Sequence, residues 1–264
     1  MIRILSGAVI LAIVVGGIYA GVYGVYALVL LLGGFALWEF LGLSDAMGSR
    51  APAWLLFPLG GFFAFSGTVL KQVDVNLVLS LALVAGLGVF LVVPGRRQGL
   101  GRWAMGLAGA LYIGMPFNYY LLLYTSKPSG LVWTLFTVFA VILNDTAALL
   151  VGSRIGRHPF FPTISPRKTV EGAIAGVLAS VVVMLIGVSA VLGLSALHAV
   201  ALGVLVGVSA QMGDLVESQM KRIAEVKDSS HLIPGHGGVL DRLDSILFPP
   251  ILVYFYVAMF HIVG

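Results

Sequence analysis

Cysteine is absent from this chain of 264 residues, and charged residues make up only 10% of it. Without cysteine the chain can form no disulfide framework, thiolate zinc site, iron–sulfur cluster or cysteine nucleophile. Hydrophobic residues account for 59%, and the mean hydropathy is +1.06. Because a soluble domain carries roughly 25% charged residues, the polar surface here is too small to cover the apolar side chains. The composition indicates a protein covered by lipid and excludes soluble, disordered and collagen-like chains.

Long polar segments are also lacking, so the sequence predicts no soluble domain. A helix that crosses the hydrocarbon core needs roughly 20 apolar residues, and backbone polar groups in lipid must be satisfied within the segment, which favours helices. We therefore predict an all-α polytopic membrane protein with about nine transmembrane helices. They lie near residues 4–20, 23–43, 53–70, 75–94, 103–124, 130–152, 172–193, 196–216 and 246–263.

The basic residues predict the sidedness of these spans. With nine spans, thirteen of the fifteen Lys and Arg residues fall on the side that holds the N-terminus, and only Lys71 and Lys127 fall on the other. Cytoplasmic loops carry such an excess of positive charge. We expect the N-terminus and the basic loops in the cytoplasm, in a multi-pass protein of the inner (plasma) membrane. Residues 1–264 form a single membrane-embedded domain in this interpretation, with N-terminal helices in 1–100 and the site in 101–264.

The scarce charges are concentrated between residues 214 and 244, which hold six of the eleven acids and four of the fifteen bases. Asp214 directly follows the apolar run 201–210, and Asp241 and Asp244 precede the apolar run 246–263. These carboxylates lie near the bilayer boundary, where ionisable groups are costly and usually pair or bind ions. We predict a functional site here rather than an ordinary solvated loop.

Spacing indicates what this site holds. Gln211, Asp214, Ser218 and Lys221 recur every three or four residues and form one polar stripe if the eighth span continues as a helix. Carboxylate oxygens suit Mg²⁺, which takes phosphate oxygens as further ligands. Aspartates beside Lys and Arg predict a metal–phosphate site. The alternative from the residues alone is a set of internal salt bridges.

A glycine-rich stretch, residues 232–238, lies between these helix ends. Its glycines permit a phosphate cradle made of backbone amides, and a plain re-entrant turn fits equally well. His236 fits three roles: proton donor or acceptor, phosphate ligand, or structural hydrogen-bonding group.

A second polar cluster, residues 154–172, combines Arg and Lys with the hydroxyls of Ser165 and Thr169. Such groups suit phosphate, although cytoplasmic loops attract basic residues whatever the substrate. Asp145 lies inside the apolar span 130–152, where an aspartate costs roughly 2.5–3.5 kcal/mol at the bilayer centre. We expect Asp145 to face the same polar cavity as the main cluster.

The stretch from Ser218 reads Ser-Gln-Met-Lys-Arg, then after four residues Lys-Asp-Ser-Ser-His-Leu-Ile-Pro-Gly-His-Gly-Gly-Val-Leu-Asp-Arg-Leu-Asp-Ser. This closely resembles the signature of the CDP-diacylglycerol synthases, or phosphatidate cytidylyltransferases. Residues 165–172, Ser-Pro-Arg-Lys-Thr-Val-Glu-Gly, resemble that family's middle motif. The resemblance is most specific in residues 144–172 and 211–245.

The resemblance implies a nucleotidyltransferase that converts CTP and phosphatidic acid into CDP-diacylglycerol and pyrophosphate. It implies Mg²⁺, and K⁺ as a candidate second cation. On this basis the metal ligands are Asp145, Asp214, Asp241 and Asp244, and the catalytic residues are Lys221, Arg222, Asp228, His236 and Arg242. Substrate-binding roles fall to Ser165, Lys168, Thr169, Ser218, Lys227, Gly237 and Gly238.

Two other functions remain open from the residues. A CTP-dependent kinase of the polyprenol or phytol type would share the nucleotide and the membrane, and an anion transporter would also need intramembrane charges. The expected partners are CTP, phosphatidic acid and the bilayer, with no nucleic acid. Glycine pairs such as Gly203 and Gly207 allow close helix packing, which permits a homodimer without requiring one.

Overall fold

The computed structural model describes residues 2–92, 96–127, 129–235 and 237–262, and the elements it contains there are helices with two isolated β-bridges. The helices are α1 (Ile2–Tyr19), α2 (Gly21–Ala46), α3 (Ala53–Phe65), α4 (Val75–Val92), α5 (Arg96–Thr125), α6 (Gly130–Ile155), α7 (Val170–Met184), α8 (Ala190–Leu192), α9 (Ala196–Ile223), α10 (Leu240–Leu247) and α11 (Pro249–Met259). The predicted all-α class is confirmed.

Six helical segments in the described residues are long and apolar enough to cross a membrane. They are Gly21–Ala46, Gly99–Thr125, Gly130–Ile155, Val170–Leu192, Ala196–Ile223 and Leu240–Met259. Two shorter apolar helices, Ala53–Phe65 and Val75–Gly88, occupy the third and fourth predicted spans. With 13 residues at 1.5 Å each, α3 is about 20 Å long, less than the hydrocarbon core. The count of nine spans is therefore not confirmed.

Two predicted spans contain local departures from a regular α-helix. One turn of wider π-helix, Leu185–Ser189, links α7 to α8. The last predicted span, 246–263, consists of two helices, because α10 ends at Leu247 and α11 begins at Pro249. Proline has no N–H to continue the ladder and is favoured at a helix start. The helical segment also begins earlier than predicted, so Asp241 and Asp244 lie inside α10 and not before it.

The chain divides into two compact units. Unit 1 comprises Met1–Leu121 and Met220–Arg242. Helix α5 packs closely within it: a Cβ on Gly109 would meet the rings and methyls of Phe40 and Leu56, and one on Gly114 would lie 2.6 Å from the carbonyl oxygen of Gly60. Glycine at these positions lets α5 approach α2 and α3 at backbone distance. The N-terminal helices thus share unit 1 with the segment from Met220 to Arg242.

Unit 2 comprises Leu122–Gln219 and Leu243–Gly264. Its buried core draws on α6, α7, α9 and α11 and includes Trp133, Met184, Leu202 and Val253. Other large apolar side chains of this unit, such as Leu149, Leu178 and Leu197, are exposed. Exposed apolar area on this scale marks surfaces that lie against lipid or protein, as the composition predicts.

Close packing of α7 and α9 depends on two glycines of α9. A Cβ on Gly203 would meet the backbone of Val181, and one on Gly207 would lie 2.8 Å from the Cα of Val177. Backbone atoms cannot rotate away as a flexible side chain can, so the helices would have to separate. We expect Gly203→Ala to lower the free energy of unfolding by about 1–3 kcal/mol, measured by chemical unfolding in mixed micelles.

Gly34→Ala is the matched control, because nothing lies within 4 Å of a Cβ at that helical position. It should leave stability unchanged or raise it by up to about 1 kcal/mol through helix propensity. Equal losses in the two variants would contradict the role given to the α7–α9 contact.

Candidate functional site

Helix α9 is followed by a loop, residues 224–239, which we call the signature loop because it carries most of the motif from Ser218 to Ser245. Its tip folds back on itself, with the amide of Ile233 donating to the carbonyl of Gly237 at 2.8 Å. Gly235 and Gly237 have φ of +78° and +81°, a left-handed conformation that glycine adopts at little cost. The stretch therefore turns back on itself, and Gly235 and Gly237 have a conformational reason; the phosphate cradle and the plain re-entrant turn both stay predictions.

Asp241, at the start of α10, collects four donors from its own unit. Its Oδ2 accepts from the amide of Ser229 at 2.9 Å, the hydroxyl of Ser229 at 3.0 Å and the amide of Gly238 at 2.8 Å. Its Oδ1 forms an ion pair with Nζ of Lys221 at 2.7 Å. The side chain of Asp241 is 6% exposed and that of Lys221 is 15% exposed. Such a buried carboxylate needs these partners, since an unpaired charge there is strongly unfavourable.

Glu39 lies against the same loop, and the sequence analysis missed it. Only 2% exposed, it accepts from the amides of Val239 at 2.8 Å and Leu240 at 2.6 Å. The hydroxyls of Ser229 and Ser230 lie 3.2 Å and 2.6 Å from its two oxygens. The signal was available: Glu39 is a carboxylate inside the apolar span 23–43, the same anomaly that drew attention to Asp145.

A second pairing of carboxylate and lysine lies in unit 2. Nζ of Lys168 is 2.6 Å from Oδ2 of Asp214, and the two side chains are 26% and 29% exposed. The hydroxyl of Ser218, one helical turn further along α9, donates to Oδ1 of Asp214 at 3.2 Å. The predicted stripe on α9 is therefore helical, and Lys168 from the middle motif lies beside it.

The loop between α6 and α7 places Lys168 through its backbone. Pro159 and Thr169 form a β-bridge, and the amide of Phe160 donates to the carbonyl of Lys168 at 2.8 Å. The hydroxyl of Thr169 caps α7 by accepting from the amide of Gly172 at 3.2 Å. Ser165 contributes its carbonyl to the turn, accepting from the amide of Lys168 at 3.1 Å. Each of these contacts stabilises the loop and gives Ser165 and Thr169 a structural role, whether or not they also bind substrate.

Asp145 belongs to the same polar cluster of unit 2. Its carboxylate accepts from the amide nitrogen of Asn144 at 3.2 Å, forms a hydrogen bond with Ser245 and interacts electrostatically with Asp214 and Lys168. Gln211 on α9 donates to Oδ1 of Asn144 at 3.2 Å. Asp145, Lys168 and Asp214 are therefore near one another, and the polar cavity that Asp145 is expected to share with the main cluster stays a prediction.

Asp244 is buried in unit 2. Its Oδ1 accepts from the amide of Ser245 at 2.7 Å and from the hydroxyl of Ser245 at 3.2 Å. These short-range contacts are those of a residue that stabilises its own helix. Its predicted role as a metal ligand is not tested.

The remaining predicted residues lie on or near the signature loop. Arg222, Lys227 and Arg242 are exposed, and Asp228 is partly buried. A Cβ on Gly237 would lie 2.9 Å from Oδ2 of Asp241 and 3.5 Å from Asp228, and one on Gly238 would meet Ser229 and Glu39. Both glycines therefore let the loop approach these carboxylates. His236 lies outside the described residues.

A cation site would have to use few protein ligands. Among the residues that the structure describes, no group of three His, Asp or Glu side chains is placed to hold a metal ion. Mg²⁺ commonly uses one or two carboxylates, several waters and substrate phosphates. The carboxylates of Asp145 and Asp214 interact with each other within unit 2. Two carboxylates fit that donor set.

Comparison with known proteins identifies the family. The model of the cytidylyltransferase family matches residues 1–260. The chain belongs to the cytidylyltransferase family. It is 39% identical over 152 residues to a phosphatidate cytidylyltransferase of Bacillus subtilis, covering 57% of this chain and 56% of that protein. It is 40% identical over 146 residues to one of Staphylococcus saprophyticus and 40% over 148 residues to one of Staphylococcus aureus, covering 55% of each chain. The alignments thus span about half the length of these curated relatives.

Membership of this family agrees with the resemblance seen in the signature and middle motifs. It does not test the roles given to individual residues, which stay predictions.

The ion pair between Lys168 and Asp214 can be tested without any assay of function. We expect a double-mutant cycle of Lys168→Met and Asp214→Asn to give a coupling energy of about 1–2 kcal/mol in unfolding free energy, because the two groups are in direct contact and shielded from water. The pair Arg50–Asp45, 3.4 Å apart with both side chains 56% exposed, is the control. Its coupling should stay below about 0.5 kcal/mol, and equal couplings would contradict the difference in burial.

Proposed function

We propose that this member of the cytidylyltransferase family is a phosphatidate cytidylyltransferase. It transfers CMP from CTP to phosphatidic acid, giving CDP-diacylglycerol and pyrophosphate for phospholipid synthesis. The observation that carries the proposal is the signature loop, which folds the residues of the motif onto Asp241 and Lys221. Relatives 39–40% identical to this chain bear the name of that enzyme.

The reaction is an in-line displacement at phosphorus. A phosphate oxygen of phosphatidic acid forms a bond to the α-phosphorus of CTP, and the bond from that phosphorus to the bridging oxygen breaks. Pyrophosphate leaves with the electron pair. Such a transfer needs positioning and neutralisation of charge more than covalent chemistry from the protein. The phosphate of phosphatidic acid is largely ionised at neutral pH, so the mechanism requires no strong general base.

Cationic side chains supply the neutralisation in this proposal. In unit 1, Lys221, Arg222, Lys227 and Arg242 bind phosphate oxygens, and Gly237 and Gly238 line the phosphate site, with the amide of Gly238 donating to Asp241. In unit 2, Lys168 binds phosphate beside Ser165, Thr169 and Ser218. Lys221 and Lys168 are already held by Asp241 and Asp214, which keeps both ammonium groups in place before substrate arrives. Asp228 and His236 complete the catalytic set that we propose.

The reaction also requires a divalent cation in this proposal. Asp214, Asp241, Asp145 and Asp244 are the candidate ligands, and Mg²⁺ would neutralise the phosphates and orient the leaving group. K⁺ is the candidate second cation. Within unit 1, Oδ1 of Asp241 pairs with Lys221 and Oδ2 accepts from Ser229 and Gly238.

The membrane arrangement that we propose has nine spans, with the N-terminus and the site on the cytoplasmic side. The thirteen-to-two distribution of basic residues supports this sidedness. CTP is water-soluble and phosphatidic acid is anchored by acyl chains, so a site at the cytoplasmic boundary serves both substrates. Glycine-lined helix contacts permit a homodimer, for which the oligomeric state in detergent is the direct measurement.

Product analysis tests the proposal against its alternatives. Purified protein incubated with α-³²P-labelled CTP, phosphatidic acid and Mg²⁺ should move the label into the lipid extract and release one pyrophosphate per lipid product. A lipid kinase would release labelled CDP and leave the lipid unlabelled. A transporter would turn over no nucleotide and would take up an anion in proteoliposomes. Either of those results would overturn the proposal.

Asp241→Asn tests the signature loop within this assay. Asn is uncharged, so the variant loses the ion pair with Lys221, and its amide nitrogen, which donates and cannot accept, faces either Lys221 or the donors that bind Oδ2. We expect kcat/KM to fall at least about 100-fold, as when a charged group that acts in the transition state is lost. Asp45→Asn, an exposed carboxylate paired only with Arg50 in the contacts described, should retain wild-type activity. Full activity in Asp241→Asn would remove this residue from the site.

A further inference from the structure

Glu39 is a charged residue in an apolar setting that the proposed mechanism does not use. It lies in helix α2, within the run Phe-Ala-Leu-Trp-Glu-Phe-Leu-Gly-Leu at residues 35–43, and is 2% exposed. A carboxylate in such a position is costly unless it is fully hydrogen-bonded. Its contacts therefore indicate what it is for.

In the part of the chain that the structure describes, the groups that contact the Glu39 carboxylate belong to the signature loop and to the first residue of α10. The amides of Val239 and Leu240 donate to Oε1 and Oε2, at 2.8 Å and 2.6 Å. The hydroxyl of Ser230 donates to Oε1 at 2.6 Å, and that of Ser229 lies 3.2 Å from Oε2. Glu39 thus joins the middle of the loop, at Ser229 and Ser230, to its C-terminal end, although these partners lie about 190–201 positions away in sequence.

Ser229, one of the residues that Glu39 holds, also binds Asp241, and Val239, another of them, follows Gly238, which binds Asp241 as well. Ser229 gives Asp241 both its amide and its hydroxyl, and Gly238, next to Val239, gives its amide. The hydroxyl of Ser229 is within hydrogen-bond distance of both carboxylates. Gly238 leaves no room for a side chain, because a Cβ there would lie 2.6 Å from Oε1 of Glu39 and would meet Oγ of Ser229. Displacing Glu39 would therefore move the donors that set the position of Asp241.

We propose that Glu39 is a positioning residue, which clamps the middle of the signature loop to its C-terminal end and thereby fixes Asp241 and the loop's phosphate-binding groups. This inference rests on the proposed function for its catalytic consequence, but the clamp itself does not. Both oxygens of Glu39 are engaged by the loop, so Glu39 acts through the loop and not on the substrate.

Glu39→Gln is the decisive variant, because it preserves size and removes one acceptor. The new amide group would face an N–H of Val239 or Leu240, so one backbone hydrogen bond is lost. Hydrogen exchange of the wild-type protein and the variant, in the same micelles without substrate, should show amides of residues 237–241 exchanging at least about tenfold faster in the variant. Exchange in α6 and α7 should be unchanged, which separates a released loop from general unfolding.

Kinetics supply the second measurement. We expect KM for CTP to rise about 10- to 100-fold, the range found when a residue supporting a ligand is removed. A smaller folded fraction lowers the apparent kcat and leaves KM unchanged, so a change in KM cannot arise from loss of folded protein. Asp45→Asn is the matched control on the same helix and should change neither exchange nor KM.

Unchanged exchange at residues 237–241, or faster exchange with an unchanged KM for CTP, would overturn the proposal. If Glu39→Gln does not fold, Ser230→Ala removes one donor to Glu39 and leaves the carboxylate in place. Ser230→Ala should also give faster exchange at residues 237–241 and a higher KM for CTP, each by a smaller factor than in Glu39→Gln. If neither changes, the proposal is overturned. Failure of the wild-type protein to label lipid would instead refute the proposed function, and the exchange result would still decide whether the clamp exists.

Discussion

The arrangement of the signature loop depends on one buried charge, the carboxylate of Asp241. It is 6% exposed, and a charge so far from water is tolerated only when its partners are in place. Charge-assisted hydrogen bonds contribute about 1.5–3 kcal/mol each, so the contacts from Lys221, Ser229 and Gly238 determine where the loop can lie. Close contact around these carboxylates also explains the glycine at position 238, since a side chain there would meet Ser229 and Glu39.

Much of the fold was predictable because hydropathy and helix ends are local properties. Each predicted span contains a helix, and the stripe from Gln211 to Ser218 is helical as spacing indicated. The break at Phe248 was readable too, since Pro249 and Pro250 follow it. The wide turn at Leu185–Ser189 was not, because its sequence is as apolar as its neighbours. The short length of α3 shows that an apolar run sets the maximum length of a helix and not its actual ends.

The sequence predicted which residues belong to the site better than it predicted which of them contact one another. Clustering of scarce charge drew attention to Asp214, Asp241 and Lys221, but the partner of Asp214 is Lys168, 46 positions earlier by residue number, and spacing along one helix could not reveal it. Glu39 is recognisable in the sequence as a carboxylate inside an apolar span, but its partners lie near the other end of the chain and only the structure identifies them. Thr169 has a structural role as the N-cap of α7, which the motif alone did not indicate. Contacts between distant segments carry this information, and one sequence does not contain it explicitly.

Both units hold a lysine against an aspartate, and this repetition has a physical consequence under the proposed function. A lysine side chain that is free to move loses conformational entropy when its ammonium group binds phosphate. Lys168 and Lys221 lose less, because each ammonium group is already held within 2.7 Å of a carboxylate. An ammonium group has three N–H donors, so a lysine that pairs with an aspartate can also donate to a phosphate oxygen from the same position. Internal salt bridges and a phosphate site are alternatives in the sequence, and under the proposed function the same lysines serve both.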